Sequence, residues 1–328
     1  GTKQGGQDDD EVSGFTSRAL TSLLFRREDA QKLIPTQIEA IIASQLQQLS
    51  DQDDLITGFL RPSVARFACK HFGLREIEPS WLYNITEILF EYLFIDLEND
   101  PEIARMAEQA GHELRDMLDA QIARQRPASE ETVIARGQRL LSSSLTDMSP
   151  IDLRNNLLGL LIGLVPTTPK AAAMALDWLT QDRVGIEQLR NAALNDPEQF
   201  KAMVREGMRL NPINPGLLRV ARRTAKIPYK GSYMEVPAGT VVFAATHAAM
   251  RDPHFIEKPL KLQLNRPASA YLNDGYGLHA CFGRYINLEH VTLLLRHVLV
   301  AGYDRAKGAE GDLVFAGPFP ARMTILQS

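Results

Sequence analysis

Three points in this chain set an acceptor side chain directly before a proline and a run of helical periodicity: Asp100-Pro101, Ser149-Pro150 and Asp196-Pro197. At each, the side chain can accept from the first free N–H groups, and the proline stands where its missing N–H does no harm. These starts punctuate the first 210 residues, where the only sustained apolar pattern is helical. The spacing predicts helices over Pro35–Leu49, Arg61–Phe72, Pro79–Leu93, Pro101–Arg124, Ser129–Ser144, Pro150–Gln181, Ile186–Leu194 and Pro197–Leu210. A body of that kind must be built by helix-on-helix packing. In the sixth segment Pro166 and Pro169 each lack the N–H that a helix interior needs, at about 3 kcal/mol apiece. A kink or opened turn is predicted there.

Beyond Arg219 the pattern changes to short β-branched runs between Gly and Pro turns: Lys226–Tyr229, Tyr233–Val236 and Thr240–Ala244. A loop rich in Pro, Asn, Asp and Gly runs from Arg251 to Gly283. A last helix over Arg284–Ala301 precedes strand-like pieces at Leu313–Phe315 and Arg322–Leu326. The fold class is therefore mainly α with a small β region. With 328 residues, 45% apolar and 23% charged, the chain can bury one large core. A single domain is predicted over 14–328, after a flexible polar tail, 1–13, that carries Asp8 to Asp10. The net charge of -4 carries no footprint of nucleic-acid binding. Leu157–Val165, the longest apolar stretch, is too short to cross a bilayer, so no membrane anchor is expected in this chain. Two distant cysteines, Cys69 and Cys281, make no disulfide framework and point to a cytoplasmic protein.

The segment Gly275-Tyr276-Gly277-Leu278-His279-Ala280-Cys281-Phe282-Gly283 feeds straight into the last helix. A thiol held on a loop at a helix start meets backbone N–H groups and the positive end of the helix dipole, both of which favour thiolate. Gly275, Gly277 and Gly283 let the backbone wrap closely around whatever the sulfur binds. Cys69, on a helix among Ala65 to His71, reads as a small core residue. The remaining histidines show no metal-type spacing.

This loop resembles the haem-binding loop of the cytochrome P450 superfamily at every position but the first, where Asp274 replaces the usual phenylalanine. Glu206-Gly207-Met208-Arg209 resembles the family's Glu-x-x-Arg, whose members share one helix face and pair behind the haem. Arg219-Val220-Ala221 stands where the family places an arginine for a haem propionate, and Arg18 resembles the early-helix arginine for the other. The resemblance implies a fold of the cytochrome P450 type lacking part of its N-terminal region. It further implies haem b (iron protoporphyrin IX) as cofactor, with Cys281 as iron ligand. His279, Arg219 and Arg18 would then face the propionates, with Gly275, Gly277 and Gly283 shaping the loop. Glu206 and Arg209 are read as a structural pair.

The chain departs from the family in places that bear on chemistry. Gly163-Leu164-Val165-Pro166-Thr167-Thr168 carries Pro166 in the acid position of the distal motif, beside the catalytic candidate Thr167. Lys261 stands where an arginine often completes a triad with Glu206 and Arg209, and it lacks the bidentate fork. In the last helix Asn287 holds a usual alanine position. By resemblance the default activity is monooxygenation of a small or lipid-like organic substrate, with a redox partner protein. Pro166 points instead to an enzyme using or rearranging hydroperoxides, a peroxygenase, isomerase or lyase, which needs no distal acid. A non-catalytic haem module is the third reading.

Overall fold

The computed structural model describes residues 18–19, 21–50, 52–143, 146–181, 184–277 and 280–327. The predicted tail, 1–13, lies outside them. Residues 21–24 are helical, and twelve α-helices follow among the described residues. They are α1 (Asp29–Lys32), α2 (Ile34–Leu46), α3 (Arg61–Phe72), α4 (Pro79–Phe90), α5 (Pro101–Ala123), α6 (Val133–Leu141), α7 (Pro150–Leu164), α8 (Thr167–Thr180), α9 (Ile186–Asn195), α10 (Pro197–Leu210), α11 (Thr246–Ala249) and α12 (Arg284–Val300).

The three acceptor–proline starts behave as their chemistry requires. Asp100 accepts from the N–H groups of Glu102 and Ile103, and Asp196 accepts from Gln199. Ser149 and Asp152 form a reciprocal capping box. The expected break is also present: α7 stops at Leu164 and α8 restarts at Thr167, with Pro166 between them. Residues 150–180 are long and apolar enough to cross a membrane by composition, but 72% of the apolar window is buried inside the protein. They form the central core helix of the bundle: α8 packs on α10 and α12, while α2 packs on α3 and α12.

Two features were not expected from the sequence. Leu55–Leu60 is wound as a π-helix, capped by Asp54 through the N–H groups of Ile56 and Thr57. Asp53–Asp54 forms strand β1, which pairs antiparallel with β9 (Thr324–Gln327), Asp53 opposite Ile325. β6 (Tyr303–Arg305) completes that sheet on the other side of β9. Two hairpin-like pairs fill the predicted strand region: β2 (Leu217–Val220) with β5 (Val241–Ala244), and β3 (Ala225–Tyr229) with β4 (Ser232–Val236). β7 (Val314–Ala316) and β8 (Phe319–Arg322) form a last hairpin beside α8.

Candidate functional site

Cys281 ends the loop that runs into α12. Gly275 and Gly277 hold φ of 72° and 69°, so glycine is needed there for conformation. Gly283 is different: its φ is -75°, and an added Cβ would lie 3.9 Å from the Cys281 Sγ. Its smallness leaves room beside the sulfur; the turn itself would accept other residues. The Cys281 N–H donates to the Asp274 carbonyl at 2.7 Å, closing the loop. Backbone N–H groups of Gly283 and Arg284 donate towards the sulfur.

The residue opens onto a cleft, yet protein surrounds the sulfur closely. Burial, followed by the Asp274 carboxylate, pushes the thiol up to about 11 against those N–H groups and the Arg284 guanidinium. Asp274 is itself pushed up to about 6 by burial.

The cleft holds about 360 Å³ and is lined by Arg18, Arg26, Arg27, Arg284, Phe282 and Tyr285, among others. Arg18 donates to the Ala280 carbonyl at 2.7 Å and lies over the Phe282 ring at 4.5 Å, so it is fastened to the cysteine loop. Arg27 and Arg284 both lie on Tyr285, 4.1 and 4.7 Å from its ring centroid. Among the described residues none of these four arginines makes a salt bridge, although Arg284 acts on the Asp274 carboxylate and favours its ionised form. The predicted Arg219 sits on β2, exposed, its guanidinium donating to the Leu218 carbonyl, and is not among the residues lining this cleft. His279 lies outside the described residues.

Behind the loop, Glu206 and Arg209 are fully buried on α10. Arg209 donates to both Glu206 oxygens, at 2.7 and 3.0 Å, and to the carbonyls of Met250 and Pro259. The third member of this cluster is Arg266, 3.1 Å from Glu206 through Nε, and not Lys261. Lys261 is exposed, and only its carbonyl joins in, accepting from Arg266 at 2.9 Å. The expected loss of a bidentate fork is thereby corrected: the loop path brings a different arginine inward. Burial opposes ionisation of Glu206, but hydrogen bonds from Arg209, the Gln263 N–H and Arg266 outweigh it and hold the carboxyl below its ordinary range.

On α7, Gly159 and Gly163 have open space where a Cβ would stand. They continue at helical spacing to Thr167, whose hydroxyl donates back to the Gly163 carbonyl. Thr168 donates to Asn287 at 3.0 Å, tying α8 to the cysteine-bearing α12. The sequence reading passed over this link; the only signal for it was Asn287 in an alanine position.

The donor set also tests what could bind here. Among the described residues no group of three or more His, Cys, Asp or Glu comes together. A single cysteine with N–H support would suit an iron whose remaining protein-independent ligands come from a macrocycle, and arginines at the rim would suit that macrocycle's carboxylates. Cys281 and Arg18 are therefore suited to haem.

Comparison with known proteins gives a consistent picture. The family model described as Cytochrome P450 matches residues 84–301. Mycinamicin IV hydroxylase/epoxidase of Micromonospora griseorubida is 26% identical over 275 residues, which is 83% of this chain and 63% of that protein. A bifunctional dioxygenase–epoxy alcohol synthase of Fusarium oxysporum is 32% identical over 159 residues, 46% of this chain and 12% of that protein. The chain thus spans less than two thirds of the length of these curated relatives. Among solved structures, ligand-free cytochrome P450 TbtJ1 superposes with a TM-score of 0.82 at 20% identity, covering 98% of this chain and 82% of that one.

Proposed function

Since the chain belongs to the cytochrome P450 family, we propose that it is a haem-thiolate oxidoreductase acting on an organic hydroperoxide, of a fatty-acid-like substrate, without external electrons. Haem b, when bound, supplies a redox-active iron able to cleave an oxygen–oxygen bond. The observation that carries the reading is the distal turn. Pro166 stands where a carboxylate would organise protons, and the Thr167 hydroxyl is committed to the Gly163 carbonyl.

In this reading Cys281 holds the iron from one side, supported by the N–H groups of Gly283 and Arg284. Arg18, Arg219 and His279 are assigned to the propionates, and Gly275, Gly277 and Gly283 shape the loop. Glu206, Arg209 and Arg266 hold the scaffold and take no part in chemistry. Gly159 and Gly163 leave room along the distal helix for substrate. A hydroperoxide arrives with its oxygen–oxygen bond already reduced by two electrons, so rearranging it consumes no external electron or proton. The epoxy alcohol synthase activity named for the Fusarium relative belongs to this type of chemistry, and a dioxygenation would be the class of reaction that supplies the substrate.

A second reading, monooxygenation with a redox partner protein, is favoured by the retained Thr167 and by the hydroxylase/epoxidase named for the Micromonospora relative. The separating experiment gives purified haem-loaded protein a fatty-acid hydroperoxide with no reductant. Consumption of the hydroperoxide supports the proposal. No consumption, together with reductant-dependent oxygen uptake coupled to product, would replace it with the second reading.

A further inference from the structure

Lys170 lies on α8 and is only 6% exposed. A buried ammonium loses its hydration and ordinarily requires a counter-charge. Lys170 has none: no carboxylate among the described residues pairs with it. Among the described residues its neighbour is the Phe319 ring of β8, 5.5 Å from Nζ. Burial lowers its pKa to about 8, with no compensating ion pair. A cation kept in such a place is a candidate for a ligand's charge.

Its position on the helix says which ligand. Gly159, Gly163 and Thr167 recur every four residues, so they share one face, and at both glycines that face is open. Lys170 follows Thr167 by three residues and lies about 60° around the helix from it, at 100° per residue. Thr168, by contrast, points to Asn287 on α12, and Lys170 is roughly 160° away from that direction. Helical side chains lean towards the N-terminus, which carries the long lysine stem back over the Pro166–Thr167 turn. Lys170 therefore follows the open Gly159–Gly163 strip along the successive helix turns, with the Phe319 ring beside its amine. From Gly163 to Lys170 the strip runs about 10 Å along the axis, at 1.5 Å per residue.

We infer that Lys170 anchors the carboxylate of a long-chain amphiphilic substrate whose apolar tail lies along the Gly159–Gly163–Thr167 strip. A single monovalent cation in an apolar wall matches one carboxylate on a hydrocarbon chain better than a multiply charged phosphate. The inference deepens the fatty-acid-like substrate proposed above, and it fixes which end of the molecule enters first.

The test needs no oxidant, so it stands apart from the hydroperoxide reading. Oleic acid and methyl oleate are titrated into the haem-loaded protein, with binding followed through the haem absorbance band. The native protein should bind the acid at least about tenfold more tightly than the ester, about 1.4 kcal/mol. Lys170→Met should bind both alike with full haem content, and Lys170→Arg should keep the preference. Equal binding of acid and ester by the native protein would overturn the inference. So would a Lys170→Met protein that still prefers the acid. Should Lys170→Met fail to load haem, the native acid–ester comparison and Lys170→Arg decide the matter.

Discussion

Behind Cys281, the single carboxylate of Glu206 receives hydrogen bonds from Arg209, Arg266 and the Gln263 N–H, all from buried or part-buried groups. At the break between α7 and α8 the turn at Val165–Pro166 is steadied by one hydroxyl, that of Thr167, bonded four residues back to the Gly163 carbonyl. The first arrangement is redundant and spans three stretches of chain. The second is local and rests on one or two residues. The contrast teaches that the interlocked Glu206 cluster tolerates little change, whereas the Pro166 turn can be re-cut by a single substitution such as an acid for Pro166.

The largest expected effect removes the cofactor ligand. Cys281→Ala should abolish the red-shifted absorbance band that carbon monoxide gives with reduced thiolate-ligated haem. Retention of that band would break the scaffold half of the contrast. Next comes Glu206→Ala, which strands two buried guanidinium groups and should cost about 3–5 kcal/mol, losing haem and soluble protein together. A soluble variant with full haem but no turnover would move Glu206 into the chemistry. Arg266→Ala should resemble it in kind, while Lys261→Ala should stay within about 0.5 kcal/mol. Chemical denaturation of the pair of variants separates the two residues.

The scaffold side also contains a buried histidine pair. His71 on α3 and His290 on α12 flank the Phe67 ring, at 5.2 and 4.5 Å. Asp29 lies 3.8 Å from His71 and is bound by Arg136, while Gln37 meets the other His71 nitrogen at 3.0 Å. Among the described residues neither ring nitrogen of His290 has a hydrogen-bond partner. Burial lowers His71 to about 4, against the opposing pull of Asp29, and lowers His290 to about 3. As pH falls below the ordinary histidine value of about 6.5, the unfolded chain takes up protons that the folded chain refuses. Stability is therefore complete above that value and is lost towards pH 4, at up to two protons or about 2.7 kcal/mol per pH unit. Denaturation midpoints measured across this range should show that slope, and His290→Leu should roughly halve it.

The smallest effect belongs to the distal wall. Thr167→Ala should change hydroperoxide turnover by less than about tenfold, under about 1.4 kcal/mol of barrier. A larger loss, with uncoupled oxygen consumption in the presence of a reductant, would show that the hydroxyl manages protons after all and that the two walls are equally constrained.

How much of this was legible in advance depended on the range of each contact. Asp100, Ser149 and Asp196 announced helix starts because a cap and its N–H groups lie within three residues. Glu206 and Arg209 could be paired because a helix places residues three apart on one face. Pro166 foretold the break between α7 and α8 because the missing N–H is a property of the residue itself. Three glycines of one loop look alike in sequence, but Gly275 and Gly277 hold a positive φ while Gly283 has a negative one and matters for the space beside Cys281.

Sequence by itself determined, then, whatever a few neighbouring residues settle between them: the helices, their caps, the thiol at a helix start and the interrupted distal turn. Tertiary structure alone decided which arginine completes the Glu206 cluster, for the path of the 251–283 loop turns Arg266 inward and leaves Lys261 in solvent. It likewise joined Thr168 to Asn287 and set His71 and His290 about one aromatic ring. It also left Lys170 buried with no counter-charge among the described residues and made Asp53–Asp54 a strand against the C-terminal β9. The physical reason is that such partners are chosen by how distant segments cross in a packed interior. A linear pattern records only each residue's readiness for such a partner.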